Sequence, residues 1–189
     1  MLLIRVMLRS LLAALDPMKK MLLGVVVGFC IVPLAAFLFV KFGGMPVATK
    51  GKPLPFERFL AHVALDAAVD READKPSPIE ATEANLAAGA KIYKAQCMVC
   101  HGSPDRAPTA IALGMYPNPP PLVRLDKKGV TDDSAGETYW KAKNGIRLTG
   151  MPGFGDSLSE TELWQVSLLL QRAHELPSSV GKLLSEPSN

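Results

Sequence analysis

The sequence predicts an all-α protein in which one membrane-spanning helix precedes a small helical domain. Three observations support this: an uncharged apolar run, several segments with apolar residues every three or four positions, and no alternating run of useful strand length. The 189 residues, 48% of them hydrophobic, suffice for one compact domain with an appendage. The composition is too polar for a protein that crosses the membrane many times.

The apolar run extends from Met21 to Val40 without a charge. A helix of that length spans about 30 Å, the thickness of a bilayer's hydrocarbon core. A cleaved signal peptide is the alternative, because Lys19 and Lys20 resemble its basic start. Its apolar segment is normally shorter, however, and no good cleavage site follows. We therefore predict an uncleaved anchor at 21–40, with the lipid bilayer as its partner.

Residues 1–20 form a short segment that we expect on the cytoplasmic side. Its apolar stretch, interrupted by Arg5 and Arg9, is too short to span a membrane. It is either an interfacial helix or the product of a start assigned upstream of a true start at Met18. Basic residues flank the span on both sides, so charge alone does not decide its orientation.

The charge of the chain argues against nucleic acid as a partner. Of 21 basic and 18 acidic residues, four and one lie in 1–40, which leaves 17 of each in 41–189. That part is neutral, and aromatic residues are only 6% of the chain, so neither phosphate binding nor base stacking is indicated.

Residues 41–81 are predicted to be a linker that contains one amphipathic helix at 56–73. Glycines and prolines break the chain before this helix, and Pro76-Ser77-Pro78 breaks it after. Apolar residues recur at helical spacing on one face of the helix: Phe56, Phe59, Leu60, Val63 and Ala67.

Residues 82–176 are predicted to form the domain, and 177–189 a flexible tail. Helices are expected over 82–96, with Thr82 as N-cap, and over 133–143, ended by Asn144-Gly145. The last helix begins at a capping box made by Ser159 and Glu162 and runs to about residue 175. The proline-rich loop between 101 and 130 is long for a small domain and needs something to wrap.

The most specific motif is Cys97-Met98-Val99-Cys100-His101. C-x-x-C-H is the attachment site of a c-type haem, because two thiols at this spacing can add across the two vinyl groups of one porphyrin. Cys97 and Cys100 would hold one covalent haem c, and His101 would be an axial ligand of its iron.

Three other readings of the motif are weaker. A structural zinc site needs about four ligands, and the other candidates are Cys30 in the apolar run and two distant histidines, His62 and His174. A thioredoxin-like pair needs a βαβ context. A plain disulfide leaves the adjacent His101 unexplained.

Haem attachment also predicts the topology. Covalent c-type ligation takes place in the bacterial periplasm or an equivalent compartment. We therefore expect a single-pass protein of the bacterial inner membrane, with residues 41–189 outside the cytoplasm.

Met151 is the predicted sixth ligand of the iron. It lies in a Gly- and Pro-rich segment, Thr149 to Gly155, that can approach a flat cofactor, and a thioether there raises the reduction potential. Met115 is the alternative, but only fourteen residues separate it from His101, which leaves little chain to cross the haem. His62 and His174 are expected to be solvated surface residues.

These motifs resemble the class I cytochrome c family, most closely its bacterial membrane-anchored monohaem members. The resemblance covers about Glu83 to Leu176. It implies that Gly89 and Tyr93 cross the last helix near Trp164, and that a proline carbonyl in 117–121 accepts the Nδ1 proton of His101. The helix at 56–73 is a departure, because the minimal family fold lacks it.

The resemblance implies a one-electron carrier with no catalytic residues, and redox proteins as donor and acceptor. We expect four side chains to close the haem pocket: Leu122, Trp140, Ile146 and Phe154. Lys141, Lys143 and Arg147 are candidates for steering an acidic partner. The alternatives are a haem subunit of a larger respiratory or dehydrogenase complex, or a sensor or peroxidase with an open iron position.

Overall fold

The computed structural model describes residues 16–73, 75–104, 107–123 and 132–186. Within these ranges all regular structure is helical, which confirms the predicted all-α class. The chain divides after Val47 into two compact units.

The first unit contains one long helix, α1 (Pro17–Lys41). The side chain of Asp16 caps it by accepting a hydrogen bond from the backbone N–H of Lys19 at 2.9 Å. With 25 residues and a mean hydropathy of 2.7 over its most apolar 18-residue stretch, α1 is long and apolar enough to cross a membrane. It contains the whole predicted span, whereas most of the predicted N-terminal segment (1–15) lies outside the described residues.

The second unit holds the remaining helices. They are α2 (Glu57–Glu72), α3 (Glu83–Ile92), a π-helical turn (Tyr93–Cys97), α4 (Met98–His101), α5 (Ala110–Gly114), α6 (Ala135–Asn144), α7 (Glu160–Gln171) and α8 (Ser178–Ser185). Thr82 caps α3 as predicted, and both hydrogen bonds of the Ser159–Glu162 capping box are present at α7.

The core lies where α3 crosses α7, with α6 and α8 packed beside them. A side chain at Gly89 would overlap the backbone carbonyl of Gln165, so the glycine is what lets the two helices approach. Tyr93 and Leu169 are fully buried at this crossing. The family-based expectation that Gly89 and Tyr93 meet the last helix is thus confirmed.

The prediction of a flexible tail at 177–189 is wrong for residues 178–185, which form α8. Val180 and Leu184, one turn apart, are fully buried in the core. The Ser179 hydroxyl also donates a hydrogen bond to the Glu83 carboxylate. Pro177 directly follows the predicted helical domain, but a proline is also well suited to the start of a helix, and here it directly precedes α8. Residues 187–189 lie outside the described part of the chain.

Helix α2 forms close to its predicted bounds, but its apolar face points away from the domain. Phe56, Phe59 and Leu60 are strongly exposed, while Val69 and Ala73 on another side of the helix are buried. The sequence identified the helix and its stripe correctly, yet the stripe is not what packs on the core.

Candidate haem site

The cysteine motif ends one continuous helical segment made of α3, the π-helical turn and α4. Cys97 closes the π-helical turn, and Cys100 and His101 lie in the single turn of α4. Residues three apart share a face of a helix, so both thiols are presented on one side. The two sulfurs are not bonded to each other, so the disulfide alternative gains no support.

The imidazole of His101 is oriented by a proline carbonyl. Its Nδ1 lies 2.8 Å from the carbonyl oxygen of Pro120. Pro120 is one of the prolines at 117–121 that the family resemblance implied as this partner. A proton on Nδ1 that is donated to this oxygen leaves the lone pair of Nε2 for a metal ion. Burial lowers the pKa of His101, although the bond to Pro120 opposes this, and the neutral ring is the form that binds iron.

Too few potential metal ligands lie near Cys97 in the described chain for a structural zinc site, which needs about four. Burial, followed by the neighbouring Cys100, raises the pKa of the Cys97 thiol to about 12, so the free side chain is a neutral thiol. Among the described residues, no group of three or more His, Cys, Asp and Glu side chains could hold a metal ion. Two unbonded thiols beside an oriented imidazole are instead the groups that covalent attachment of a c-type haem requires.

Tyr93 fastens the end of the motif to the core. Its hydroxyl donates a hydrogen bond to the carbonyl of Gly102 at 2.7 Å, directly after His101. Gly102 has a φ of 79°, where glycine is favoured, so the chain can turn sharply away from the helix. Burial raises the pKa of Tyr93, which keeps the hydroxyl a donor.

The proline-rich loop folds back onto the motif, as its length suggested. The hydroxyl of Thr109 donates to the carbonyl of Val99 at 2.6 Å, and Pro120 contacts His101 further along. The short helix α5 between these contacts was not predicted. Residues 105–106 and 124–131 of the loop lie outside the described chain.

Residues 145–155 form the loop that carries Met151. Gly145 has a φ of 68°, and a side chain there would meet the backbone of 151–153. The loop closes through the N–H of Ile146 and the carbonyl of Met151, 3.2 Å apart. The Thr149 hydroxyl donates a hydrogen bond to the carbonyl of Ile146 at 2.7 Å and accepts one from the N–H of Met151 at 3.1 Å. The backbone beside Met151 is therefore held from both sides.

Met115 lies against the same loop. A side chain at Gly150 would overlap the terminal methyl group of Met115, next to Met151 in the chain. Met115 therefore reaches the loop that carries Met151, although only fourteen residues separate it from His101. Which of the two thioethers binds the iron stays a prediction. The two candidate thioethers share one neighbourhood, and sequence spacing could not show it. His62 and His174 are exposed, as predicted.

The four predicted pocket residues differ in their surroundings. Leu122 packs against the core, and Ile146 and Phe154 are half-buried in or beside the ligand loop. Trp140 instead lines a groove of about 470 Å³ formed by the end of α2, residues 75–78, α6 and α7. There its indole N–H donates a hydrogen bond to Glu72 at 3.0 Å. The sequence could not predict this partner, because it belongs to the helix that the family lacks.

The predicted basic cluster is largely neutralised. Lys141 lies 3.0 Å from Asp133 and 2.7 Å from Glu137, and Lys143 lies 3.4 Å from Glu160. Burial alone would lower the pKa of Lys141, but these carboxylates raise it. Arg147 is exposed and remains the better candidate for meeting an acidic partner.

In a comparison with family models, residues 84–168 match the model described as cytochrome c oxidase, cbb3-type, subunit III. The match contains the cysteine motif and Met151 and leaves out α1, α2 and α8. No curated protein is significantly similar to the chain.

Proposed function

Residues 84–168 are a domain of the class I cytochrome c family, and on this basis we propose that the chain is a membrane-anchored one-electron carrier with a single covalent haem c. The family implies haem-based electron transfer and redox protein partners. The observation that carries the proposal is the motif itself: two unbonded thiols on one helical face beside an imidazole oriented by Pro120. The haem supplies reversible one-electron chemistry when bound.

Each site residue has a separate role in this proposal. Cys97 and Cys100 would attach the porphyrin, and His101, whose tautomer the Pro120 carbonyl selects, would bind the iron. Met151, whose backbone N–H is held by the Thr149 hydroxyl, would be the second side chain to bind it. An iron held by two side chains would rearrange little on electron transfer and would leave no position for a substrate. We therefore propose a carrier and not an enzyme.

We further propose that α1 anchors the chain in the bacterial inner membrane with the haem domain in the periplasm. The support is the length and hydropathy of α1 together with the compartment in which c-type haem is attached. The corresponding organisation is an anchor at 21–40, a linker at 41–81 that includes α2, and a cytochrome domain at 82–176. Protease treatment of spheroplasts tests it, because only a periplasmic domain would be digested.

The ligand assignment is tested by a matched pair of variants, Met151→Ala and Met115→Ala. We expect Met151→Ala to abolish the long-wavelength sulfur-to-iron absorption of the oxidised protein and to lower the reduction potential, because a thioether stabilises reduced iron. Met115→Ala should keep both properties. The reverse pattern would assign Met115 as the ligand, and rapid carbon monoxide binding to the reduced wild type would contradict the closed site.

A second candidate function is a stoichiometric subunit of a respiratory complex. The matching family model describes an oxidase subunit, and this favours the alternative over a sensor or a peroxidase. Extraction in mild detergent separates the two functions. A complex subunit should copurify with a fixed set of partners, whereas a free carrier should elute alone with its haem.

A further inference from the structure

Among the described residues of the second unit, large exposed apolar side chains are concentrated at the start of α2. Phe56 is the N-cap residue, Phe59, Leu60 and Val63 lie in the first two turns, and all four are exposed. These side chains recur at intervals of three and four, so they form one continuous patch. A contiguous patch of large apolar side chains marks an interaction surface, whereas scattered ones do not.

Contacts at both ends fix the orientation of this face. At the N-terminal end the guanidinium of Arg58 lies 5.6 Å from the ring centre of Tyr116 and its Nε donates to the hydroxyl at 3.4 Å. At the C-terminal end Glu72 accepts the indole N–H of Trp140 at 3.0 Å. Val69 and Ala73 are buried on the domain side. The helix cannot roll to bury its apolar face without breaking these contacts.

The chain itself keeps this patch close to a membrane surface. Fifteen residues, 42–56, separate the end of α1 from the start of α2. Even fully extended, such a segment spans at most about 50 Å. Phe42, Met45 and Val47 within it are also large and exposed.

Charge complementarity identifies the kind of surface. Residues 42–58 contain three basic residues, Lys50, Lys52 and Arg58, and one acidic residue, Glu57. Lys50 and Lys52 are exposed in the linker, whereas Arg58 is engaged with Tyr116. The carboxylate of Glu57 is also engaged, since it accepts the backbone N–H of Leu54 at 2.8 Å. Basic residues beside an apolar helix face are attracted to anionic lipid headgroups.

We propose that the first two turns of α2 insert into the headgroup region of an anionic bilayer, with Phe56, Phe59, Leu60 and Val63 as the inserted side chains. Asp66 and Asp70 lie further along the helix and stay in water, so the helix enters at a tilt with its N-terminal end deepest. The contact rests on the proposed membrane anchoring and gives the domain a preferred orientation on the membrane. It does not depend on which thioether binds the iron.

The test uses the full-length holoprotein with Cys30→Ser, so that an introduced cysteine is the free thiol. A spin label is placed at Phe59→Cys, and at Leu113→Cys as the matched control, since these side chains are 64% and 67% exposed. Each variant is incorporated at one copy per nanodisc containing phosphatidylglycerol. Electron paramagnetic resonance of the reduced protein then measures collisions of the label with oxygen and with a water-soluble nickel complex.

The Phe59 label should collide mainly with oxygen, which partitions into lipid, with an oxygen-to-nickel ratio several times that of the Leu113 label. Replacing phosphatidylglycerol with phosphatidylcholine should lower the ratio at Phe59 only. Equal ratios at the two positions would overturn the proposal. Protection of Phe59 from both reagents would also overturn it, in favour of a protein occupant. Leu60→Cys repeats the measurement if Phe59→Cys fails to fold.

Label stoichiometry reports separately on the cytochrome function, because Cys97 and Cys100 without attached haem would also take label. If they do, the lipid contact is measured again after both are replaced by alanine. A Phe59 label that still collides mainly with oxygen in such a colourless protein would support the membrane contact while contradicting the electron carrier.

Discussion

Helices α7 and α2 carry the same kind of sequence pattern and use it in opposite ways. Both have apolar residues at helical spacing, but those of α7 form the centre of the core and the larger ones of α2 lie exposed. Periodicity therefore predicts a helix and its stripe, but not what covers the stripe. What distinguishes α2 in the sequence is its place, after a helix long and apolar enough to span a membrane and after a basic linker.

The largest expected effect comes from truncating one leucine in each helix. Leu169 of α7 is 0% exposed, and Leu60 of α2 is 62% exposed. Leu169→Ala should lower the free energy of unfolding by about 2–5 kcal/mol, because it removes buried contacts and leaves a cavity. Leu60→Ala should change it by less than about 0.5 kcal/mol. Urea unfolding in detergent measures both, and similar losses would mean that α2 buries its stripe after all.

The next largest effect is expected at the crossing of α3 and α7, where Gly89 is compared with Gly181, a glycine in open space. A side chain at Gly89 would overlap the backbone of Gln165, whereas one at Gly181 in α8 meets nothing within 4 Å. Gly89→Ala should cost about 1–3 kcal/mol through overpacking at the crossing of α3 and α7. Gly181→Ala should be neutral or stabilise α8 by up to about 1 kcal/mol. A well-tolerated Gly89→Ala would contradict the close approach.

A smaller effect is expected where α2 is held by few contacts. Trp140→Phe keeps a ring in the groove but removes the hydrogen bond to Glu72, for a loss of about 1 kcal/mol. Because this bond fixes one end of α2, amide hydrogen exchange should speed up in α2 and stay unchanged in α7. Mass spectrometry of exchanged peptides measures both regions in one sample. Unchanged exchange in α2 would show that the bond does not restrain it.

The smallest expected effect is the pH dependence of the capping box at the start of α7. Hydrogen bonds from the Ser159 hydroxyl and backbone N–H lower the pKa of Glu162 below its ordinary value of 4.5. This carboxylate therefore stabilises α7 above that value, and the contribution is lost as the pH falls through the folded pKa. The difference in melting temperature between wild type and Glu162→Gln should shrink on acidification below pH 4.5. A constant difference would exclude the charge as its cause.

Much of the domain followed from local signals that act within a few residues. The Thr82 cap, the capping box at Ser159 and the helix end at Gly145 concern single turns, and the structure has each of them. The spacing of Cys97, Cys100 and His101 likewise needs only one helical segment to bring the donors together.

The missed features depend on contacts between segments distant in sequence. The contact of Met115 with Gly150 joins two loops, and the bond between Glu72 and Trp140 joins two helices. Helix α8 is stabilised by burial of Val180 and Leu184 in a core built by other helices. Spacing within a segment carries no information about such partners.

The central claim is that Cys97 and Cys100 hold one haem, and intact-mass spectrometry tests it most directly. The full chain should be made in a host with an intact cytochrome maturation system, next to a Cys97→Ala/Cys100→Ala variant as control. We expect the mass of the wild-type chain to exceed that of the polypeptide by one haem, which acid extraction does not remove. The variant should have the mass of the polypeptide alone. A wild-type chain with the bare polypeptide mass, or with two haems, would contradict the claim.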